Sequence, residues 1–369
     1  MKRRLVIYGV NFFPPKGGTS RVVENLILQL KDEFDITIYC YRTPRAKTHI
    51  AGVKTVEFRQ WAKGSPGSLI YFFCSAVHLL LFGKADLVHA HKTDCALFIP
   101  LLKLRFKVIA TSHEAPYKRD KWNYLQRTYF RLAERVFVSS ADVCTCISKP
   151  LSDYYETKYK RKVYFIPNGI NVTERKDFDE AAARGFLPGP ASLDRPYILF
   201  SARRLMSTKG CHTMLEALRA INYEGQVFIT GELEETAYLQ KLKRLSTGLN
   251  VFFLGYVDPL NALLGLVSRA GLFIFPSETE GMSVMLMEVA SVGVPIIASD
   301  IPENTQVFSP EEVSYFQTGN AADLAGKIKR ALDEPARMEI FGAAARKLVI
   351  TNYLWKDICQ KYSEIYRIV

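Results

Sequence analysis

Short apolar runs alternate with helix-patterned stretches along most of this chain, and that alternation constrains its fold more than any other feature. The first runs are Leu5–Val10, Ile36–Tyr39, Leu87–Ala90, Val108–Ser112 and Val143–Ile147, with helical patterns at Arg21–Lys31, Leu69–Phe82 and Tyr124–Ser139 among them. The texture resumes with runs at Tyr197–Ser201, Val227–Thr230, Val251–Leu254, Leu272–Phe275 and Pro295–Ala298. Its helical patterns are His212–Ala220, Glu235–Leu245, Leu260–Ala270 and Ser283–Val292. Strands that alternate with helices imply parallel sheets covered on both faces. Two groups of strands in 369 residues therefore predict an α/β protein with two doubly wound domains.

The break is expected where Ile166-Pro-Asn-Gly makes a turn and Pro188, Gly189 and Pro190 follow in a charged, alanine-containing stretch. This gives a first domain over 1–168, a linker over 169–195 and a second domain over 196–350. Residues 351–369 form a last helical stretch with Tyr353, Trp355, Tyr362 and Tyr366, expected to pack back across the domain junction.

Charge is unevenly placed. Residues 1–170 carry 28 Lys+Arg against 13 Asp+Glu, a net +15, and the remainder carries 21 against 24, a net −3. A basic first half predicts a polyanionic partner. An anionic membrane surface fits better than nucleic acid, because basic motifs interleaved with aromatics are lacking. The apolar segment Leu69 to Phe82 spans 14 residues and contains His78. That is short of the roughly 20 residues that cross a bilayer, so it is either a buried helix or one that dips into a membrane interface, and the buried helix is favoured because Asp86-Leu-Val-His follows directly as a new strand. Leu5 to Val10 is too short for a signal sequence and reads as the first strand. The seven cysteines show no paired spacing, which predicts free thiols, mostly in the core, in a reducing cytoplasm.

Six places are weighed for chemistry. Glu280 and Glu288 frame Glu-Gly-Met-Ser-Val-Met-Leu-Met-Glu, between the strands Leu272–Phe275 and Pro295–Ala298. Gly281 opens the turn, Ser283 caps, and a helix begins there. The helical neighbours of Glu288 are Val284, Met285, Ser291 and Val292, so its carboxylate lies on an apolar surface that is unfavourable without a bonding partner. Arg203, Arg204 and Lys209 cluster after the strand Tyr197–Ser201, where forked arginines and a lysine suit a diphosphate. Gly17 and Gly18 lie between the first strand and first helix, where backbone N–H groups favour anions. His113 ends the strand Val108–Ser112, a position where parallel sheets bind ligands. His89 and His91 alternate nearby, but no carboxylate or cysteine completes a metal site. Asp177-Phe-Asp179 has the spacing of a metal–nucleotide motif, yet it falls in the linker and reads as coincidence.

Together these residues resemble the retaining glycosyltransferases of family 4, the "glycosyl transferases group 1" set with the GT-B fold. The glutamate pair matches that family's E-x7-E motif, with Met-Ser where Phe-Gly is common. Arg204-Leu with Lys209-Gly matches its phosphate loop, and Arg203 stands where the family has glycine. Gly17-Gly18, His113, Ile166-Pro-Asn-Gly-Ile and Ser299-Asp-Ile-Pro-Glu-Asn304 are similar to further family segments. The resemblance implies two Rossmann-like domains facing a cleft, with a nucleotide-sugar donor held mainly by the second domain and the acceptor by the first. It implies that Arg204 and Lys209 hold the donor diphosphate and Glu288 the ribose. Glu280 and His113 would contact the donor sugar, and the backbone at Gly18, Gly281, Met282, Ser283 and Val284 would face the donor. No metal and no other cofactor is required on this reading. A lipid-linked or glycan acceptor at the cytoplasmic face of a membrane follows from the charge and the apolar segment. A sugar-nucleotide epimerase of the same fold and a catalytically silent membrane-binding protein are the alternatives.

Overall fold

A computed structural model describes residues 2–13, 18–42, 50–62, 64–115, 123–234 and 236–369 of the chain. The expected Gly17 and the expected helix start at Glu235 lie outside the described residues. The chain divides into two compact units, Met1–Gly169 with Trp355–Val369, and Ile170–Leu354.

The first unit holds a seven-stranded parallel sheet: β1 (Arg3–Tyr8), β2 (Phe34–Tyr41), β3 (Lys54–Phe58), β4 (Leu87–His91), β5 (Lys107–Ser112), β6 (Val143–Cys146) and β7 (Val163–Phe165). Their order is β3-β2-β1-β4-β5-β6-β7. One face is covered by the helices Gly64–Phe82, Ile99–Leu102, Tyr124–Ser140 and Lys149–Tyr159, around a core that includes Tyr71, Phe72, Leu102, Phe137 and Tyr155. Cys144 and Cys146 point into that same core, and all seven cysteines are free. The other face is covered by the helices Gly18–Leu30 and Trp355–Ile368.

The second unit holds a six-stranded parallel sheet: β8 (Tyr197–Arg204), β9 (Gln226–Glu232), β10 (Asn250–Gly255), β11 (Leu272–Phe275), β12 (Ile296–Ser299) and β13 (Ser314–Phe316). Its order is β10-β9-β8-β11-β12-β13. In both sheets the chain runs outward from a central strand, then returns and continues on the other side. The order therefore reverses between β1 and β4 and again between β8 and β11. Crevices beyond the carboxyl ends of such strand pairs are where open α/β sheets hold ligands.

The structure differs from the sequence reading at the boundaries. Residues 170–195, expected as a linker, belong to the second unit, where the helix Glu180–Gly185 packs on the helix Leu260–Arg269. A Cβ at Gly265 would lie 2.8 Å from the Asp179 carbonyl oxygen, so glycine permits this approach. Asp179 caps that short helix by accepting from Ala182 N–H at 2.8 Å, which gives the Asp177-Phe-Asp179 stretch a structural role. The break expected at 350 falls inside the helix Pro335–Asn352. The last helix, Trp355–Ile368, is part of the first unit. Trp355, Ile358, Cys359, Tyr362 and Tyr366 recur at helical spacing and are buried against β1, β2 and the helix Gly18–Leu30.

Candidate functional site

The site in the second unit is built from loops that follow β8 and β11. Lys209 and Gly210 lie just before the helix Cys211–Ala220, and Gly210 has φ 68°. A Cβ there would lie 1.9 Å from the Pro276 carbonyl oxygen, so only glycine lets this loop press against the one after β11. Glu278 N–H donates to the Thr208 carbonyl at 2.9 Å and seals the contact. The result brings together two residues 71 positions apart: Lys209 Nζ donates to Glu280 Oε1 at 2.6 Å, with both side chains largely buried.

The loop after β11 is fixed from below. Ser299, at the end of β12, donates its hydroxyl to the Ser277 carbonyl, and Asn304 Nδ2 donates to the Ser299 carbonyl at 3.0 Å. Both serines and Asn304 are buried. Ser283 then caps the helix Val284–Val292 by accepting from Leu286 N–H at 3.2 Å. Met282 is buried, and the backbone at Gly281, Met282, Ser283 and Val284 leads into the start of this helix, where N–H groups and the helix dipole attract anions. Glu288 is buried in the helix among Leu286, Met287 and Val289. Arg204 lies at the end of β8 and is more exposed. Its Nε is 3.3 Å from Glu232 Oε2, and Arg203 reaches the other oxygen of Glu232 at 3.4 Å. The ion pairs therefore sort the two cations, Lys209 to Glu280 and Arg204 to Glu232, at the ends of three adjacent strands.

The first unit places a second cluster at the ends of β1, β4 and β5. His91 Nδ1 and His113 Nε2 are 3.1 Å apart, and the rings of His89 and His91 lie tilted at 39° with centroids 3.9 Å apart. His89 is held on both sides, by the Tyr366 hydroxyl at 2.5 Å and by Thr111 Oγ1 at 2.6 Å. Burial lowers the pKa of His89 and of His113 from 6.5 to about 3 and lowers that of His91 well below 6.5. All three rings are therefore neutral near pH 7. His113 can serve as a hydrogen-bond donor or acceptor but not as a cation. Lys92 sits beside them with φ 78°, a conformation rare outside glycine, and its Nζ donates to Asn11 Oδ1 at 2.8 Å. Gly18 begins the helix Gly18–Leu30, and a Cβ on it would meet nothing within 4 Å among the described residues. Sequence reading missed His91 as the partner of His113, and Glu232 as the partner of Arg204. The alternation His89-Ala-His91 was visible, but its use became clear only from the neighbouring strand.

Comparison with known proteins agrees with this architecture. The "Glycosyltransferase Family 4" description matches residues 16–174, and "Glycosyl transferases group 1" matches residues 188–348. An alpha-maltose-1-phosphate synthase of Mycolicibacterium smegmatis is 23% identical, over 96% of this chain and 97% of its own length. A GDP-mannose-dependent monoacylated alpha-(1-6)-phosphatidylinositol monomannoside mannosyltransferase of Corynebacterium glutamicum is 24% identical, over 99% of this chain and 97% of its own. Among solved structures, sucrose-phosphate synthase from Thermosynechococcus elongatus superposes with TM-score 0.80 at 20% identity, covering 100% of this chain and 98% of that one. Anabaena HepE in complex with UDP-glucose superposes with TM-score 0.80 at 14% identity, covering 99% and 100%. The chain belongs to the family 4 glycosyltransferases, with two Rossmann-like parallel-sheet units of the GT-B fold.

Proposed function

We propose that the chain transfers a sugar from a nucleoside-diphosphate sugar to a glycan or lipid-linked acceptor, with retention of anomeric configuration, in cell-surface polysaccharide or glycoconjugate synthesis. The observation that carries this reading is the approach of Lys209 to Glu280 where β8 and β11 end. It puts a cation for the diphosphate beside a carboxylate for the sugar.

In this reading the donor diphosphate replaces Glu232 and Glu280 as the partner of Arg204 and Lys209. These cations offset the charge that develops when the bond from the anomeric carbon to the diphosphate oxygen breaks. They serve in place of a metal ion, and no other cofactor takes part. Backbone N–H groups from Gly281 to Val284 face the phosphates or sugar, Glu288 accepts hydrogen bonds from the ribose hydroxyls, and Glu280 contacts the sugar. The acceptor oxygen then bonds to the anomeric carbon on the face that the diphosphate leaves. The complexes of HepE with UDP and with UDP-glucose, and the GDP-mannose dependence of the Corynebacterium relative, support a nucleoside-diphosphate donor. The phosphatidylinositol acceptor in that relative's name supports a lipid-linked one. A net +15 over residues 1–170 supports peripheral placement on an anionic membrane.

The test is incubation with UDP-, GDP- and ADP-sugars, screened first by thermal shift, since a bound donor raises stability by mass action. Product anomers are then read by NMR with an acceptor present. A product that keeps the donor's anomeric configuration is expected. An inverted product would remove the retaining assignment, and an epimerised sugar nucleotide as sole product would remove transfer itself.

A further inference from the structure

The helix Gly64–Phe82 carries no charged residue, and its two sides have different fates. Its inner side is tied to the sheet. Tyr71 hydroxyl donates to the Val10 carbonyl at 2.8 Å, Tyr8 hydroxyl to the Phe72 carbonyl at 2.7 Å, and Tyr41 hydroxyl to the Gly67 carbonyl at 2.9 Å. On the opposite side Ile70, Phe73, Val77 and Leu81 follow one another at three- and four-residue steps, which is one stripe of a helix. Phe73 is 51% exposed, Leu81 61% and Phe82 70%. A helix that covers a sheet is ordinarily polar on its outer side, and this one is not.

Neighbouring elements on the same face of the sheet continue the pattern. After the helix Ile99–Leu102 the chain exposes Lys103, Leu104, Arg105 and Lys107, and Arg105 Nη1 donates to the Leu80 carbonyl at 2.5 Å. The helix Tyr124–Ser140 exposes Leu125, Arg131, Leu132 and Arg135. The acid of that helix, Glu134, is turned inward and bonded to Lys158 at 2.9 Å. None of these three elements exposes a carboxylate.

We propose that this face is the docking surface for an anionic lipid bilayer. The helix Gly64–Phe82 lies flat in the interface, with Ile70, Phe73, Leu81 and Phe82 entering the acyl boundary. Lys84, Arg105, Arg131 and Arg135 meet the headgroup phosphates. The helix is long and apolar enough to cross a membrane, but the three tyrosine bonds hold its inner side on the sheet, so it lies on the bilayer rather than through it. The proposal narrows the membrane placement proposed above to one face and rests on that placement, while owing nothing to the donor-site assignments.

The test is flotation of the full chain with phosphatidylcholine vesicles, with and without phosphatidylglycerol, at low and high salt. The wild type is expected to float with the anionic vesicles and to lose binding as salt rises. Two variants separate the contributions: Ile70→Ser with Phe73→Ser and Leu81→Ser, and Arg131→Glu with Arg135→Glu. Each is expected to lower the bound fraction at least tenfold without changing nucleotide affinity, since none of these residues is placed at the donor site. Hydrogen exchange on the wild type gives a reading that needs no variant, namely protection of 103–107 and 124–140 when anionic vesicles are added. Wild-type recovery in protein-only fractions with both lipids, or flotation of both variants at the wild-type level, would overturn the proposal. So would a wild-type dimer in solution that the serine variant converts to monomer and that does not float, because a second copy would then cover the face.

Discussion

Lys209 and Glu280 are 71 positions apart and meet at 2.6 Å, while Glu288 is buried a little over one helical turn past the Ser283 cap. The two glutamates therefore have different surroundings, and the proposed reading gives them different work. Glu288→Gln is expected to weaken nucleotide affinity, since a ribose contact is made before and during reaction alike. Glu280→Gln is expected to lower turnover more than affinity, since its partner is the sugar undergoing change. Steady-state kinetics with direct nucleotide titration separates the two, and identical profiles for both variants would contradict distinct roles. At this scale the residues lying within one strand-to-helix connection were legible. The Glu280–Glu288 spacing, the Ser283 cap and the basic cluster before Cys211 all stand in continuous sequence. Partners supplied by another strand were not. Nothing near Arg204 points to Glu232, and nothing near His113 points to His91.

Among elements, the buried central strands announce themselves as apolar runs and the edges do not. β3 has no fully buried residue, and β7 and β13 have three residues each, too few for a pattern. The helix Gly64–Phe82 was legible as an element, yet its reading as a buried helix held only for one side. Apolar composition alone does not tell a face on the sheet from a face in water. The connection between β8 and the helix Cys211–Ala220 depends on Gly210 for two reasons, its φ of 68° and the 1.9 Å approach that a Cβ would make to Pro276. Gly210→Ala is expected to destabilise the fold by roughly 2–4 kcal/mol. It should also displace Lys209 and so weaken nucleotide binding. Gly326→Ala, in the helix Ala321–Asp333, is the control, since a Cβ there meets nothing within 4 Å among the described residues, and it is expected to be neutral or stabilising by about 0.5–1 kcal/mol. Denaturant unfolding of both variants checks the pair, and equal stability would contradict the close packing of the two loops.

For the whole molecule, stability is coupled to pH through the buried histidines. His89 and His113 have pKa values of about 3 in the folded chain, lowered chiefly by burial, against about 6.5 when unfolded. Below pH 6.5 the unfolded chain therefore binds more protons. The stability is whole above that pH and drains as pH falls toward 3, by about 1.4 kcal/mol per unit for each histidine. Thermal unfolding between pH 7 and 5 should show this decline, and a flat profile would contradict burial of the neutral rings. The overall plan of two doubly wound units was legible from alternation alone. The return of the last helix to the first unit was only partly so, because the aromatic spacing of Trp355, Tyr362 and Tyr366 marks a buried side without saying what it is buried against. The central claim is that the crevice where β8 and β11 end holds a nucleoside diphosphate through Arg204 and Lys209. Titration calorimetry of the full chain with UDP, GDP and ADP tests it most directly. Saturable binding of at least one of them is expected, weakened by about 2–3 kcal/mol in each of Arg204→Ala and Lys209→Ala, the loss of one charge-assisted bond. Unchanged affinity in both variants would contradict it.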